Sequence, residues 1–161
     1  MKNFKDKVVL ITGSSMGIGK ELAQQLLAAG AILVLNGRNT QRLKQTVNEF
    51  QAQGYQVIGI PGDVSQLNDC QQIIDHSLEA FGRIDLLINN AGVNMIGRFD
   101  ETIPQKLDMV MDINFHGSAY MTRLAIETIK ANRGGIMFVS SAAGIHGLPQ
   151  YGLYSASKMA L

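Results

Sequence analysis

The sequence predicts an α/β protein with a doubly wound, Rossmann-like parallel sheet. Short apolar, β-branched runs alternate with longer segments whose apolar residues recur at helical spacing, giving the order βαβαβαβαβα. Strands joined by helical crossovers form parallel sheets with helices on both faces, and such strands are apolar throughout. Ligands bind such sheets at the carboxyl ends of the strands, so the residues that follow each strand are the functional candidates.

The first half of the chain contains two strand–helix units and a third strand. The first strand, residues 8–12, is predicted from KVVLIT, and its helix from GKELAQQLLAAG, which Gly30 is placed to end. The second strand is predicted from AILVLN and the third from YQVIGI. Between them, TQRLKQTVNEFQAQG predicts an amphipathic helix because Leu43, Val47 and Phe50 fall on one face.

The second half continues the alternation. LNDCQQIIDHSLEAFG predicts a third helix, and RIDLLINN contains the fourth strand. A long helical pattern covers residues 104–131, with Pro104 in the first turn, where proline is tolerated. GGIMFVSS predicts a fifth strand that ends in Ser140 and Ser141, and a last helix begins near Tyr151.

Composition favours one globular domain over residues 1–161. Of 161 residues, 46% are apolar and 17% are charged, and no Pro/Gly-rich linker divides the chain. The net charge of +1, without a Lys/Arg cluster, argues against a nucleic-acid partner. No apolar run approaches the roughly 20 residues of a membrane span. Cys70 is the only cysteine, which fits a reducing compartment, so we expect a soluble, cytoplasmic protein.

A glycine-rich loop, TGSSMGIGK, follows the first strand. Gly13, Gly17 and Gly19 are spaced differently from G-x-G-x-x-G, but the physical argument is the same. Glycines let backbone N–H groups approach a pyrophosphate, and the following helix directs its positive end at the anion. The alternative is a glycine-rich turn that binds no ligand.

The residues after the second strand indicate which dinucleotide would bind. NAD sites usually place a carboxylate here for the ribose 2′-hydroxyl, whereas NADP sites place an arginine for the 2′-phosphate. The stretch LNGRN has no acid and contains Arg38. We therefore expect NADP, with NAD as a possible cofactor. The alternative is that Arg38 is a solvated loop residue.

Five motifs in register resemble the short-chain dehydrogenase/reductase family over essentially the whole chain. They are T-G-x-x-x-G-I-G, GDV at 62–64, NNAG at 89–92, Asn114 in the long helix, and a serine pair followed by Y-x-x-x-K. The resemblance implies an oxidoreductase that transfers a hydride between NADP(H) and a ketone or secondary alcohol. A non-catalytic nucleotide-binding or interaction module is the alternative.

The resemblance also implies roles for individual residues. The catalytic set that it implies is Asn114, Ser141, Tyr154 and Lys158. The cofactor-binding residues that it implies are Gly13, Ser15, Gly17, Ile18, Gly19, Arg38, Asp63, Val64, Asn90, Ala91, Gly92, Tyr154 and Lys158. Met16 stands where some NADP-binding members have a basic residue. The three histidines show no metal-ligating pattern, and we expect no metal.

The chemistry explains the tyrosine–lysine spacing. Carbonyl reduction needs a proton at oxygen, and a free tyrosine, with a pKa near 10, is a sluggish donor or acceptor at neutral pH. A nearby cation stabilises the phenolate. Positions i and i+4 of a helix face the same way, so Tyr154 and Lys158 are adjacent. Ser141 can donate to the substrate oxygen, and we expect the small residues 155–157 to leave room for a cofactor ribose.

Three expectations concern the complete protein. Family members are usually longer, so we expect this chain to be truncated after the active-site helix, without the C-terminal strands and substrate segment. Ala142, Ala143, Ile145 and Leu148 suggest an apolar small-molecule carbonyl or alcohol substrate. The resemblance implies a homodimer or homotetramer that uses the helix at 104–131 and the helix near Tyr151.

Overall fold

A five-stranded parallel sheet lies at the centre of the molecule. The computed structural model describes residues 4–161. The strands are β1 (Val8–Ile11), β2 (Ile32–Gly37), β3 (Val57–Pro61), β4 (Leu86–Asn89) and β5 (Gly135–Phe138). Their order is β3-β2-β1-β4-β5, and every neighbouring pair is parallel. The predicted doubly wound fold is confirmed. The strand order reverses between β1 and β4, because β2 and β3 lie on one side of β1 and β4 and β5 lie on the other.

The helices form the crossovers between the strands. They are α1 (Gly17–Ala28), α2 (Thr40–Gln51), α3 (Leu67–Phe81), α4 (Pro104–Met111), α5 (Gly117–Ala131) and α6 (Gly152–Met159). Glycines follow the first three helices closely, as predicted for Gly30. Gly30, Gly54 and Gly82 have φ values of 87°, 85° and 69°, the left-handed conformation that glycine adopts most easily.

Each face of the sheet contributes to its own hydrophobic core. Successive side chains of a strand point to opposite faces, so Val8 and Leu10 of β1 enter one core while Val9 and Ile11 enter the other. The first core contains buried side chains of α3 and α5, and the second contains those of α1 and α2. The predicted apolar face of α2 is confirmed, because Leu43, Val47 and Phe50 are all buried there.

The long helix predicted at 104–131 is not a continuous α-helix. A π-helical segment, Asp112–His116, separates α4 from α5. Such segments insert an extra residue into the helical turn and are frequent at functional sites. Apolar periodicity continues through the segment, so the pattern alone did not reveal it. This segment places Asn114 in the interior, where its exposure is 0%.

The fifth strand is shorter than predicted. It ends at Phe138, so Ser140 and Ser141 lie in the following loop and not in the strand. Within residues 4–161, β5 is an edge strand, and Met137 and Phe138 remain 46% and 41% exposed.

The helices of residues 4–161 include none with the length and apolar character to cross a membrane.

Candidate active site

The glycine loop connects β1 to α1 at the point where the chain reverses across the sheet. Gly13 and Gly17 have φ values of +63° and +56°. A Cβ atom on Gly13 would lie 2.7 Å from the Ala91 Cα, and one on Gly19 would lie 2.5 Å from the Asn90 Nδ2. The loop therefore packs directly on the loop that follows β4. A Cβ on Gly17 would meet nothing within 4 Å, so the backbone there faces open space.

The N-terminus of α1 is available to an anion. Met16 occupies the N-cap position and makes no side-chain cap, and the first turn contains no acidic residue. The first N–H groups of a helix have no partners within it, and the helix dipole makes this end positive. Together with the open space at Gly17, this donor set fits a pyrophosphate.

Small polar side chains hold the glycine loop from behind. The Ser14 Oγ donates to the Ile11 carbonyl at 2.7 Å and accepts from the Asn36 N–H at 3.1 Å. From α2, the Thr46 Oγ1 donates to the Ser15 carbonyl at 3.0 Å. Sequence analysis did not single out Ser14, Asn36 or Thr46. Of the three, only Ser14 is part of the glycine-rich motif, so only Ser14 could have been suspected of supporting the loop from the sequence.

The loop after β4 is joined to the same glycine loop. The Asn90 Nδ2 donates to the carbonyls of Thr12 and Gly13 at 2.9 and 3.1 Å. The backbone N–H groups of Asn90 and Ala91 both donate to the Thr12 Oγ1 at 3.0 Å. These four bonds fix the two loops to each other across the reversal point of the sheet.

A cleft of about 510 Å³ opens along these loops. That volume is within the ordinary range for small-molecule and cofactor sites. Ten predicted cofactor-binding residues line it, namely Gly13, Ser15, Ile18, Gly19, Arg38, Asp63, Val64, Asn90, Ala91 and Gly92. Gly17, Tyr154 and Lys158 are not among its lining residues. Sequence analysis missed Asn39, Arg42, Val93 and Ile113, which also line it.

One end of the cleft is positively charged. The Arg38 side chain is 57% exposed, and its Nη1 lies 3.5 Å from the Asp63 Oδ2, which is a long contact. The Arg42 Nη1 lies 3.1 Å from the Met16 Sδ across the same part of the cleft. Two guanidinium groups and one carboxylate therefore line this end of the cleft.

The predicted catalytic lysine lies behind the cleft wall. Lys158 is 6% exposed, and its Nζ donates to the Val139 carbonyl at 2.8 Å. Burial lowers the pKa of the Lys158 ammonium below its usual range. A Cβ on Gly92 would lie 3.5 Å from this Nζ and 3.3 Å from the Asn114 Oδ1. Gly92 lines the cleft, so both groups lie close to the cleft wall at this point.

Asn114 links the β4 loop to α6. Its Oδ1 accepts from the Val93 N–H at 2.8 Å, and its Nδ2 donates to the Val93 carbonyl at 3.0 Å. The same Nδ2 donates to the Ser157 Oγ at 2.9 Å, and that hydroxyl donates to the Tyr154 carbonyl at 2.7 Å. Asn114 and Ser157 together therefore fix α6 to the π-helical segment.

The small residues between Tyr154 and Lys158 on α6 differ in exposure. Ser155 and Ser157 do not border open space, since they are 3% and 0% exposed, and only Ala156 between them is exposed. The i,i+4 spacing of Tyr154 and Lys158 is confirmed on α6, with Tyr154 partly exposed and Lys158 buried.

The serine pair lies in the loop after β5, beside α6. The Ser140 Oγ donates to the Lys158 carbonyl at 3.1 Å. The Ser141 Oγ accepts from the Ala143 N–H at 3.2 Å and caps a short 3₁₀ helix, Ala142–Gly144. This loop and α6 are therefore held together, and within residues 4–161 the Ser141 hydroxyl donates no hydrogen bond to the protein.

The histidines lie outside this arrangement. The His116 Nδ1 lies 2.9 Å from the Asp112 Oδ1 on the helix surface, and His146 is exposed. Among residues 4–161, no three His, Cys, Asp or Glu side chains group in a way that could hold a metal ion.

Comparison with known proteins gives a consistent family. Residues 7–161 match the family model described as short chain dehydrogenase. An Arabidopsis thaliana protein named 11-beta-hydroxysteroid dehydrogenase-like 2 is 44% identical, over 99% of this chain and 53% of its own length. A Thermotoga maritima protein named an uncharacterized oxidoreductase is 39% identical, over 99% of this chain and 63% of its own. The chain thus spans between half and two thirds of these curated relatives.

Two solved structures are similar over nearly the whole chain. A short-chain dehydrogenase/reductase from Burkholderia phymatum in complex with NAD superposes with a TM-score of 0.96 at 35% identity. The match covers 99% of this chain and 58% of that one. An alcohol dehydrogenase from Thermococcus sibiricus, complexed with 5-hydroxy-NADP, superposes with a TM-score of 0.93 at 29% identity, covering 97% of this chain and 67% of that one.

Proposed function

The chain belongs to the short-chain dehydrogenase family, and on that premise we propose that it forms the nucleotide-binding and catalytic part of an oxidoreductase. The reaction is hydride transfer between NADP(H) and a ketone or secondary alcohol. The observation that carries the proposal is the position of Lys158 and Asn114 directly behind Gly92 in the cleft wall. It joins the predicted catalytic helix to the predicted cofactor cleft.

Different parts of the cleft would hold different parts of the cofactor. The N–H groups at the start of α1 would bind the pyrophosphate, and Asp63 and Val64 would lie at the adenine. Arg38 would bind a 2′-phosphate, and no acid after β2 would repel it. We therefore assign NADP over NAD. When bound, the nicotinamide supplies or accepts the hydride.

Tyr154 moves the proton in this proposal. In reduction its hydroxyl donates a proton to the carbonyl oxygen, and in oxidation the phenolate takes the proton from the alcohol. The Lys158 ammonium, one helical turn away, stabilises the negative phenolate. The Ser141 hydroxyl donates a hydrogen bond to the substrate oxygen, where negative charge develops.

We also propose that the complete protein assembles as a homodimer or homotetramer.

The substrate that we propose is an apolar small molecule. Ile145 and Leu148 follow Ser141 in the same loop and are 75% and 43% exposed. A surface of this kind beside the proton donor favours an apolar ketone or alcohol.

Calorimetric titration with NADP⁺ and NAD⁺ tests the cofactor assignment on this chain. We expect NADP⁺ to bind more tightly, and Arg38→Asp to shift the preference toward NAD⁺. Equal or tighter binding of NAD⁺ by the wild-type chain contradicts the assignment. If the complete protein binds NADP(H) but turns over no ketone or secondary alcohol in a broad panel, the alternative, a non-catalytic nucleotide-binding module, is favoured.

A further inference from the structure

We propose that Arg42 is a specificity-determining residue, which forms with Arg38 a two-guanidinium subsite for the 2′-phosphate of the cofactor. The inference rests on the proposed dinucleotide function and extends it to a residue that the sequence motifs did not indicate. It predicts that removing Arg42 alone removes much of the preference for a 2′-phosphorylated ligand.

The Arg42 side chain extends from α2 to the glycine loop. Arg42 is in the first turn of α2, where its backbone N–H donates to the Asn39 Oδ1 at 2.9 Å. Its guanidinium leaves the helix and reaches the glycine loop, with Nη1 3.1 Å from the Met16 Sδ. Arg38, Asn39, Arg42 and Met16 all line the same cleft. The side chain thus spans the rim of the cleft from α2 to the glycine loop.

The two arginines differ in their partners, since Arg38 has a carboxylate and Arg42 has a sulfur atom. Arg38 has the Asp63 carboxylate at 3.5 Å, which partly neutralises its charge. Within residues 4–161, no carboxylate lies within 4.0 Å of the Arg42 side-chain nitrogens. Its neighbour is a thioether sulfur, which is a weak acceptor. Of the two guanidinium groups at this end of the cleft, Arg42 is therefore the one whose N–H donors are not engaged by a carboxylate.

The charge of a 2′-phosphate favours a subsite with both arginines. A phosphate monoester carries about −1.5 to −2 charges near neutral pH and accepts strong hydrogen bonds. Arg38 and Asp63 together carry no net charge, and Arg42 brings this end of the cleft to a net charge of +1, which attracts the phosphate. The first turn of α2 adds no acidic residue that would oppose the anion. Guanidinium groups also bind phosphate oxygens in a bidentate geometry.

The test compares 2′,5′-ADP (adenosine 2′,5′-bisphosphate) with 5′-AMP, since these ligands differ only in the 2′-phosphate. Each is titrated by calorimetry into the wild-type chain and into Arg42→Ala, Arg38→Ala and Arg123→Ala. Arg123 is an exposed arginine of α5 outside the cleft and serves as the matched control. Urea unfolding of each variant shows whether the fold is kept.

We expect the wild-type chain to prefer 2′,5′-ADP. Arg42→Ala should weaken 2′,5′-ADP binding about 10- to 100-fold, the usual range for hydrogen bonds to a charged group. It should leave 5′-AMP binding within about twofold, because that ligand lacks the 2′-phosphate, and Arg123→Ala should change neither affinity. Arg42→Lys should restore part of the loss, because the charge returns without the planar fork.

The outcomes separate this inference from the function on which it rests. If the wild-type chain binds neither ligand, the dinucleotide proposal is wrong, and so is this inference. If the wild-type chain binds both equally, the assignment of NADP is wrong, together with this inference. If the wild-type chain prefers 2′,5′-ADP, and the preference disappears in Arg38→Ala but is kept in Arg42→Ala, only the role of Arg42 is overturned.

Discussion

Tyr154 and Lys158 lie one helical turn apart on α6, but their surroundings differ. Tyr154 is partly exposed, and its ring packs edge-on against that of Tyr151 at a centroid distance of 6.2 Å. Lys158 is almost completely buried and is bonded to the Val139 carbonyl. The Tyr154 hydroxyl is therefore closer to solvent than the Lys158 ammonium, as the proposed roles of a proton donor and a buried stabilising charge require.

Tyr154→Phe should abolish proton transfer and little else. The substitution removes only the hydroxyl and keeps the ring packing, so cofactor affinity should change by less than about twofold. A positioned acid or base contributes about 10²- to 10⁴-fold in rate. We expect kcat of turnover-competent enzyme with a ketone substrate to fall by at least that factor. Near-normal turnover would assign the proton to another group and overturn the mechanism.

Lys158 should give the chain a pH-dependent stability. Because burial lowers the pKa of this lysine, the folded state binds fewer protons than the unfolded state between the folded pKa and the ordinary value, about 10.4. The free energy of unfolding should therefore rise with pH across that window, whereas a charge-free Lys158→Met variant lacks this contribution. We expect the wild-type chain to gain stability relative to Lys158→Met as pH rises, measured by urea unfolding. A pH-independent difference between the two contradicts the burial argument.

At the scale of elements, hydrogen bonds from Asn114 connect the π-helical segment, the β4 loop and α6. Ser157→Ala removes a hydroxyl that accepts from Asn114 and donates to the Tyr154 carbonyl. We expect a loss of about 1–3 kcal/mol in the free energy of unfolding by urea.

Ser155→Ala is the matched control for this prediction. Ser155 is 3% exposed on the same helix, and in the described part of the chain its Oγ has no hydrogen-bond partner. Its removal should be neutral or slightly stabilising. Equal losses in the two variants would show that burial on α6, and not the bonds of Ser157, explains the effect.

The glycine loop allows a second comparison between elements. Gly13 and Gly54 both have positive φ, and alanine in that conformation costs about 1–2 kcal/mol. Only at Gly13 would the added Cβ also meet backbone, 2.7 Å from the Ala91 Cα. Gly13→Ala should thus destabilise the chain by at least about 1 kcal/mol more than Gly54→Ala and weaken dinucleotide binding. Equal costs and unchanged binding would show that the two loops can move apart freely.

At the scale of the whole molecule, the sheet order brings the functional loops together. The carboxyl ends of β1 and β4 are adjacent because the chain crosses from β3 to the far side of β1 before it forms β4. The glycine loop, the β4 loop and the loop after β5 therefore lie along one edge of the sheet. This topology places the cleft along the loops that follow the carboxyl ends of the strands.

Assembly remains a prediction at this scale. By resemblance to the family, α4, α5 and α6 would pack against a partner subunit, and Met109 on α4 is 43% exposed. We expect light scattering of the complete protein at working concentration to give the mass of a dimer or tetramer. A monomeric mass would show that the resemblance does not extend to assembly.

The apolar pattern of the sequence determined the class and order of the elements. Burial on both faces requires continuous apolar strands, and one buried face requires helical spacing, so both are visible locally. The family resemblance, which the family model confirms, depended on motif order in the same way. The pairing of Tyr154 with Lys158 was also predictable, because i and i+4 are neighbours on any helix.

Only the tertiary structure decided which other side chains support the site. The bond from Asn114 to Ser157 joins residues 43 positions apart, and the bond from Thr46 to Ser15 joins residues 31 apart. Arg42 comes near Met16 only because α2 packs beside the glycine loop. The π-helical segment likewise left the apolar pattern unchanged. Such contacts depend on how the helices and strands pack against one another. The spacing of residues within one helix or strand does not predict that packing.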